Sequence, residues 1–308
     1  MQKVEELTDR GKRSEAGKLP VSAIVAARNE ARNLPSCLES LRQVAEVYVV
    51  DSQSTDETPE IARSYDAKVI QFHYQGGWPK KRQWALETLP LANDWVLLID
   101  ADEALTPELA EEIRSAIESP HVDGYYICLS MYFLGRVLRH GGAGFWKLSL
   151  FRRGKGGYEC RLRDQDASMA DMEVHEHVAV RGVTGRLRNR MVHRNVESIS
   201  HYIRKHDEYS NWEARVLLKK DRDRDELPPS PLGTQAQRRR WLKKKLFAVP
   251  ASPFILFLYR YVLLLGFLDG VPGLIYCGFQ ATQMFHTKAK IYELKNQAQN
   301  GSSKGKRN

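Results

Sequence analysis

The sequence is poor in cysteine, has no acidic residue over a long C-terminal stretch, and lacks any long uninterrupted apolar run. Its four cysteines, Cys37, Cys128, Cys160 and Cys277, are scattered without metal-ligand spacing. The segment Met1-Gln2-Lys3-Val4-Glu5-Glu6 lacks the apolar stretch of a secretory signal, so a reducing, cytoplasmic environment is expected. Between Leu227 and Leu268 there is no Asp or Glu, whereas Arg238, Arg239, Arg240, Lys243, Lys244, Lys245 and Arg260 all fall there. Much of the formal charge of +9, from 47 basic against 38 acidic residues, is therefore local. An excess of this sign points to anionic partners: sugar nucleotides, lipid head groups or nucleic acid. The 308 residues leave room for one α/β domain of about 200 residues plus an accessory segment, or for two medium domains.

Short apolar runs alternate with helical patterns from Val21 onward. Strands are expected at residues 21–26, 47–50, 69–72 and 95–99, with helices around Leu34 and Leu38, around Ile61 and Tyr65, and around Trp84. A further helix is opened by Thr106-Pro107-Glu108, a cap followed by a proline in the first turn. This alternation predicts a mostly parallel, doubly wound α/β sheet, whose ligand site lies beyond the carboxyl ends of its strands. The expected division is a flexible arm over 1–18, a nucleotide-binding half over 19–123 and an acceptor-binding, catalytic half over 124–197. A helical, basic and apolar segment follows over 198–295, then a disordered tail over 296–308. The second half has less regular strands, near residues 125–129, 148–152, 178–180 and 191–193, separated by glycine-rich turns.

Three polar signals fall at expected strand ends. Ala26-Ala27-Arg28-Asn29-Glu30 offers a backbone edge and a carboxylate to a uracil-like base. Asp51-Ser52-Gln53-Ser54-Thr55-Asp56 offers another carboxylate and hydroxyls, which also suit a helix cap. Asp100-Ala101-Asp102-Glu103 places two carboxylates two residues apart at a sheet mouth, where they can hold a divalent cation against a diphosphate.

Through Asn29-Glu30, Val49-Val50-Asp51-Ser52 with Ser54-Thr55-Asp56, and Asp100-Ala101-Asp102-Glu103, residues 21–193 resemble glycosyltransferase family 2. The resemblance implies a Rossmann-like, glycosyltransferase A-type domain, a UDP-sugar donor, a Mn2+ or Mg2+ ion and an inverting displacement. Its donor contacts would be Ala27, Arg28, Glu30, Asp51, Ser54, Arg82, Asp100 and Ala101, with Asp102 holding the metal. In Lys81-Arg82-Gln83-Trp84, Gln83 replaces the family's usual Asn, so Arg82 is the expected diphosphate or base contact.

An inverting transfer needs a carboxylate to take the acceptor hydroxyl's proton. Glu176 in Val174-His175-Glu176-His177-Val178 is the candidate, resembling the Val-His-Glu segment of a subgroup related to lipopolysaccharide-core β-glucosyltransferases. Asp171 and Glu173 are its alternates. His193 would complete the metal site; a zinc site from His175, His177 and His193 is a lesser alternative, lacking helical spacing or cysteines. Arg152 and Arg153 resemble a subgroup strand that could face phosphate.

Gln237-Arg238-Arg239-Arg240-Trp241 matches the Gln-x-x-Arg-Trp signature of processive polysaccharide synthases. Arg260, Asp269, Pro250, Pro253 and Pro272 interrupt the neighbouring apolar sequence, which suits a segment lying in a membrane interface rather than spanning it. The segment Gly266-Phe267-Leu268-Asp269-Gly270-Val271-Pro272-Gly273 also resembles the lipopolysaccharide-core subgroup. The resulting expectation is a peripheral enzyme on the cytoplasmic face of a bacterial inner membrane. It would bind an anionic membrane surface and glycosylate a lipid-linked saccharide of lipopolysaccharide or exopolysaccharide. A polyprenyl-phosphate sugar synthase is the competing enzyme. No nucleic acid partner is expected, because the acidic cluster would repel its backbone; homo-oligomerisation stays open.

Overall fold

Alternation by two residues, on strands apolar on both faces, builds the core. In the first strand Val21, Ala23 and Val25 join one apolar layer while Ile24 joins the other; in the fourth, Leu97 and Ile99 are opposed by Val96 and Leu98 in the same way. A strand buried on both faces reads as a continuous apolar run, which is why these segments were recognisable. The computed structural model describes residues 17–161, 173, 176–194, 198–218, 230–232 and 235–304. The expected arm, apart from Gly17 and Lys18, lies outside the described residues, as do Asp171 and His175.

The first half runs β1 (Leu19–Ala27), α1 (Leu34–Ser40), β2 (Val44–Asp51), α2 (Thr58–Ser64), β3 (Lys68–Gln71), α3 (Lys81–Thr88), β4 (Trp95–Asp100), β5 (Glu103–Ala104) and α4 (Pro107–Ala116). The second half adds β6 (Gly124–Phe133), β7 (Arg136–Val137), β8 (Phe145–Arg152), β9 (Gly156–Tyr158), β10 (Val178–Val180) and β11 (Thr184–Arg194). The main sheet has the order β3-β2-β1-β4-β8-β6-β11-β5, with β7 on β6. Its β3-β2-β1-β4 half is parallel, and β11 runs parallel to β6; β8 is antiparallel to both its neighbours. Helices α1, α2 and α4 cover one face, while α3 covers the other. The expected cap of α4 is present: Thr106 Oγ1 accepts the Leu109 N–H at 3.2 Å, an interaction typically worth ~1 kcal/mol.

The C-terminal part comprises α5 (Ile199–Leu218), α6 (Gln235–Ala248), α7 (Ser252–Leu258), a π turn over Tyr259–Leu263, a 3-10 turn over Gly266–Asp269 and α8 (Gly270–Lys304). Helix α8 continues past Asn296, where order was expected to end; Glu, Lys, Gln and Ala favour the helix and no proline interrupts it there. A third apolar cluster joins this part to the sheet, with Phe133, Leu138, Tyr202, Tyr276 and Cys277 buried in it. The glycines of the turn have a steric reason. A Cβ on Gly273 would lie 2.1 Å from the Gly266 carbonyl oxygen, and one on Gly266 would lie 2.7 Å from Cys277 Sγ. Asp269 fastens the turn to the loop before β8, accepting the Arg139 and His140 N–H groups at 3.0 and 2.8 Å. Among the described residues no single helix is long and apolar enough to cross a membrane, although Ser252–Leu263 and Gly266–Gln297 pass together across a 71° bend.

Candidate functional site

The carboxyl ends of β1, β2 and β4 carry the three polar signals, and the first two are stitched together. Asn29 turns β1 away in the left-handed conformation (φ 55°), which Asn tolerates better than most residues. Its Oδ1 accepts the Thr55 N–H at 2.8 Å, and its own N–H donates to Ser54 Oγ at 2.8 Å. Asp51 is fully buried and accepts from Ser54 N at 3.1 Å and from Gln71 Nε2 at 2.9 Å, while the Ser54 hydroxyl donates to its other oxygen. Glu30 accepts from Asn33 Nδ2 at 2.8 Å, and its N–H donates to Thr58 Oγ1. Arg28 is exposed at this rim. Buried Lys81 holds the floor, its Nζ donating to the Ala27 carbonyl at 2.8 Å. Asp56 accepts from both Thr58 N and Ala31 N, so the capping reading of this segment and its role in shaping the site coexist.

Antiparallel register brings cations to the third signal. β8 pairs with β4 so that Leu97 faces Leu150, and continuing that register sets Lys147 beside Asp100. Lys147 Nζ donates to Asp100 Oδ2 and to both Glu103 carboxylate oxygens at 3.0 Å. Arg82 pairs with the other Asp100 oxygen and donates to the Glu173 carbonyl at 3.2 Å. Burial would raise the Asp100 carboxyl, but Arg82 and Lys147 outweigh it and hold it well below the usual carboxylate range. Arg82 is thus the partner of Asp100, and the buried Glu103, its pKa raised by burial, shares Lys147. Ala101 is buried between the two aspartates of the motif.

The same logic joins Asp102 to His193. β5 pairs antiparallel with β11, setting His193 opposite Glu103, and the Arg194 N–H donates to the Asp102 carbonyl at 2.8 Å. His193 Nε2 lies 3.3 Å from Asp102 Oδ2, and Lys205 Nζ on α5 lies 3.7 Å from the same oxygen. Burial pushes the Asp102 carboxyl up, yet His193 and Lys205 bring it down to about 2. The Asp102 carboxylate oxygen is a hard donor that suits Mn2+ or Mg2+, whereas the His193 nitrogen facing it suits only the softer of the two, Mn2+. Ions of this kind commonly take few protein ligands and complete their shell with substrate phosphates and water. Among the described residues no group of three His, Cys, Asp or Glu side chains could hold a metal, and the zinc alternative includes His175, which lies outside them.

Glu176 is buried and accepts the Arg161 N–H at 3.2 Å. Loss of solvent pushes its carboxyl up to about 7, against the pull of Lys80. It connects to the cluster above through Glu173, whose carboxylate accepts the Arg82 and Gln83 N–H groups at 3.2 and 2.8 Å and so satisfies the first turn of α3. That capping duty explains why Glu173 is buried and spends it on a helix end, while Asp171 lies outside the described residues. Arg152 and Arg153 are placed otherwise than the phosphate-facing reading requires. Arg152 lies opposite Trp95 at the start of β4, the far end from Asp100, where it donates to the Ser119 and Val122 carbonyls. Arg153 donates to the Leu91 carbonyl. Lys81, Lys147, Lys205 and Glu103 were not singled out from sequence as site residues. Only Glu103 carried a signal, its place in the acidic run.

Residues 22–179 match the family model for glycosyl transferase family 2. The chain is 30% identical over 294 residues to the lipopolysaccharide core biosynthesis glycosyltransferase LpsC of Rhizobium meliloti (strain 1021), a match covering 90% of this chain and 93% of that protein. An uncharacterized glycosyltransferase of Rickettsia bellii (strain RML369-C) is 42% identical over 106 residues, 34% of this chain and 35% of the relative. Among solved structures, S. aureus TarS 1-349 in complex with UDP-GlcNAc aligns over 90% of this chain and 91% of its own at 16% identity, with a TM-score of 0.43.

Proposed function

The chain belongs to glycosyltransferase family 2, and on that premise we propose that it moves a hexose from a UDP-sugar to a hydroxyl of a lipid-linked saccharide in lipopolysaccharide core synthesis. Glucose is the first donor sugar to test, and the product linkage is β. The reading of the acceptor class draws on the similarity to LpsC over nearly the whole of both chains. The observation that carries the chemistry is a contrast between carboxylate environments: Asp100 and Asp102 are held by cations at the strand ends, while the desolvated Glu176 in the second half is linked to Asp100 only indirectly, through Glu173 and Arg82.

Asp51 and the Ala27–Glu30 turn offer buried acceptors and a fixed backbone edge to the base and ribose. Asp102 and His193 would hold the divalent cation, which when bound supplies positive charge to the diphosphate. Glu176 takes the proton of the attacking hydroxyl, a task suited to a carboxyl that titrates near neutral pH. A lipid phosphate acceptor is already anionic and needs no such base, so Glu176 favours the hydroxyl transferase over the polyprenyl-phosphate synthase.

Membrane association belongs to the same proposal. Phe254, Leu263 and Val271 are 65, 71 and 68% exposed around the bent turn, and Leu258, Leu265, Phe267, Leu268 and Leu274 are exposed beside them. A group of exposed apolar side chains gathered around one turn suits a contact site. Arg238 and Lys245 are exposed on α6, which precedes it, and each basic residue near an anionic bilayer contributes about 1 kcal/mol. The occupant proposed is the anionic cytoplasmic leaflet of the inner membrane. Leu263→Asp with Val271→Asp should release the protein from anionic vesicles while donor hydrolysis continues; a doubly substituted protein that still floats with the vesicles contradicts it.

The function is tested by hydrolysis of a panel of nucleotide sugars with and without Mn2+, followed by the anomeric configuration of the transferred sugar. UDP-sugar should be hydrolysed in preference to GDP- and CMP-sugars, and the product should be inverted. A retained anomer would overturn the single displacement.

A further inference from the structure

We infer that Lys205 is a direct ligand of the donor's diphosphate, a role that rests on the reading of this site as one for a nucleotide sugar. The cations of the site differ in how fully they are used. Lys147 has three carboxylate contacts at 3.0 Å, and Lys81 is bound to the Ala27 carbonyl. Arg82, the residue expected from sequence to meet the diphosphate, is bound to the Asp100 carboxylate and the Glu173 carbonyl, with its side chain only 6% exposed.

Lys205 stands apart. Its Nζ is 3.7 Å from Asp102 Oδ2, beyond the ~2.7–2.9 Å of a charge-assisted hydrogen bond, and it donates no hydrogen bond to any other described residue. An ammonium carries three donors. Here they sit on a side chain 26% exposed beside the aspartate that would hold the metal, so they are neither taken up by a close acceptor nor closed off from an incoming ligand. Phosphate oxygens supply what is missing. Tyr202, one turn earlier on α5, is packed against Phe133, Tyr276 and Phe279, which fixes the helix and holds Lys205 over the ends of β5 and β11.

The assignment gives the ammonium a place in the reaction. The acceptor hydroxyl oxygen forms its bond to the sugar C1, and the bond from C1 to the β-phosphate oxygen breaks. Its electron pair stays on the diphosphate, and the hydroxyl proton passes to Glu176. The charge gained by the leaving β-phosphate develops where Lys205 donates, and Lys205 keeps its own proton. Removing one such preorganised donor typically lowers kcat by about 10²–10³-fold.

The test uses the full chain in a chelating buffer, so that no metal contributes, and measures binding of inorganic pyrophosphate, UDP and uridine by calorimetry. Lys205→Met should weaken pyrophosphate and UDP by roughly 10-fold or more, the effect of a hydrogen bond to a charged group. Lys205→Arg should keep most of that affinity, and uridine should bind all three proteins alike. With donor and metal present, Lys205→Met should lower kcat more than it raises the donor KM. Unchanged pyrophosphate binding by Lys205→Met overturns the assignment, as does a Lys205→Arg protein as weak as Lys205→Met. Wild-type protein that binds neither pyrophosphate nor UDP would instead remove the nucleotide-sugar reading, a separate failure.

Discussion

Asp102 and Glu176 are both almost wholly withdrawn from solvent, yet the fold holds the carboxyl of the first down at about 2 and pushes that of the second up to about 7. Burial raises both carboxyls. The difference is made by what the fold brings alongside: β11 delivers His193 and α5 delivers Lys205 to Asp102, whereas the pull of Lys80 on Glu176 is opposed by the carboxylates of Glu173 and Glu159. Environment thus divides one kind of group, the carboxyl, into a lasting anion and an acid poised near neutrality, which suits the charge-binding and base roles proposed for them.

The largest effect expected from breaking this contrast is on Asp102. Asp102→Ala should abolish transfer, a loss of about 10³-fold or more, because the carboxylate of the metal pair goes while the strand mouth, and with it the fold, is kept. Near-normal turnover of that variant in a metal-chelated buffer would refute the metal-dependent mechanism.

A smaller effect falls on stability, and its sign distinguishes the two residues. Glu176 has a folded-state pKa raised from an ordinary 4.5 to about 7. The protonated form is what folding favours, so its contribution is complete below the ordinary value and is lost as pH rises through about 7. Asp102 is the reverse: its contribution is present above an ordinary 3.8 and is lost as pH falls through about 2. Glu176→Gln, which mimics the protonated acid, should therefore raise Tm by a few degrees near pH 8 and leave it unchanged near pH 4. A Tm gain at low pH instead would mean that the glutamine is better packed and that ionisation plays no part.

The first half was legible in sequence because its strands are buried on both faces and its polar residues crowd the strand ends. Asp51, Asp100 and Asp102 could be found by position alone. The cations could not. Lys147 reaches Asp100 only because β8 runs antiparallel to β4, and nothing in Phe145-Trp146-Lys147-Leu148 announces that register. Lys205 lies in His201-Tyr202-Ile203-Arg204-Lys205-His206, where Arg204 is as basic and only the phase of α5 selects its neighbour. Glu173 was legible as a carboxylate near the site but not as the partner of the first turn of α3, a contact made across 91 residues of chain. The glycine-rich turn after Leu265 resembled a family segment, and only the structure gives its reason: close approach of Gly273 to Gly266, with Asp269 holding the Arg139–His140 backbone.

The account rests most heavily on Glu176 acting as the base, and the pH dependence of kcat in wild type and Glu176→Gln tests this directly. Wild-type kcat should rise tenfold per pH unit up to a bend near 7, as the carboxyl ionises, and then level. Glu176→Gln should be slower by ~10²–10⁴-fold on the plateau and lack that limb. A glutamine variant that keeps the same acidic limb at near wild-type turnover would contradict the account and place the proton acceptor elsewhere.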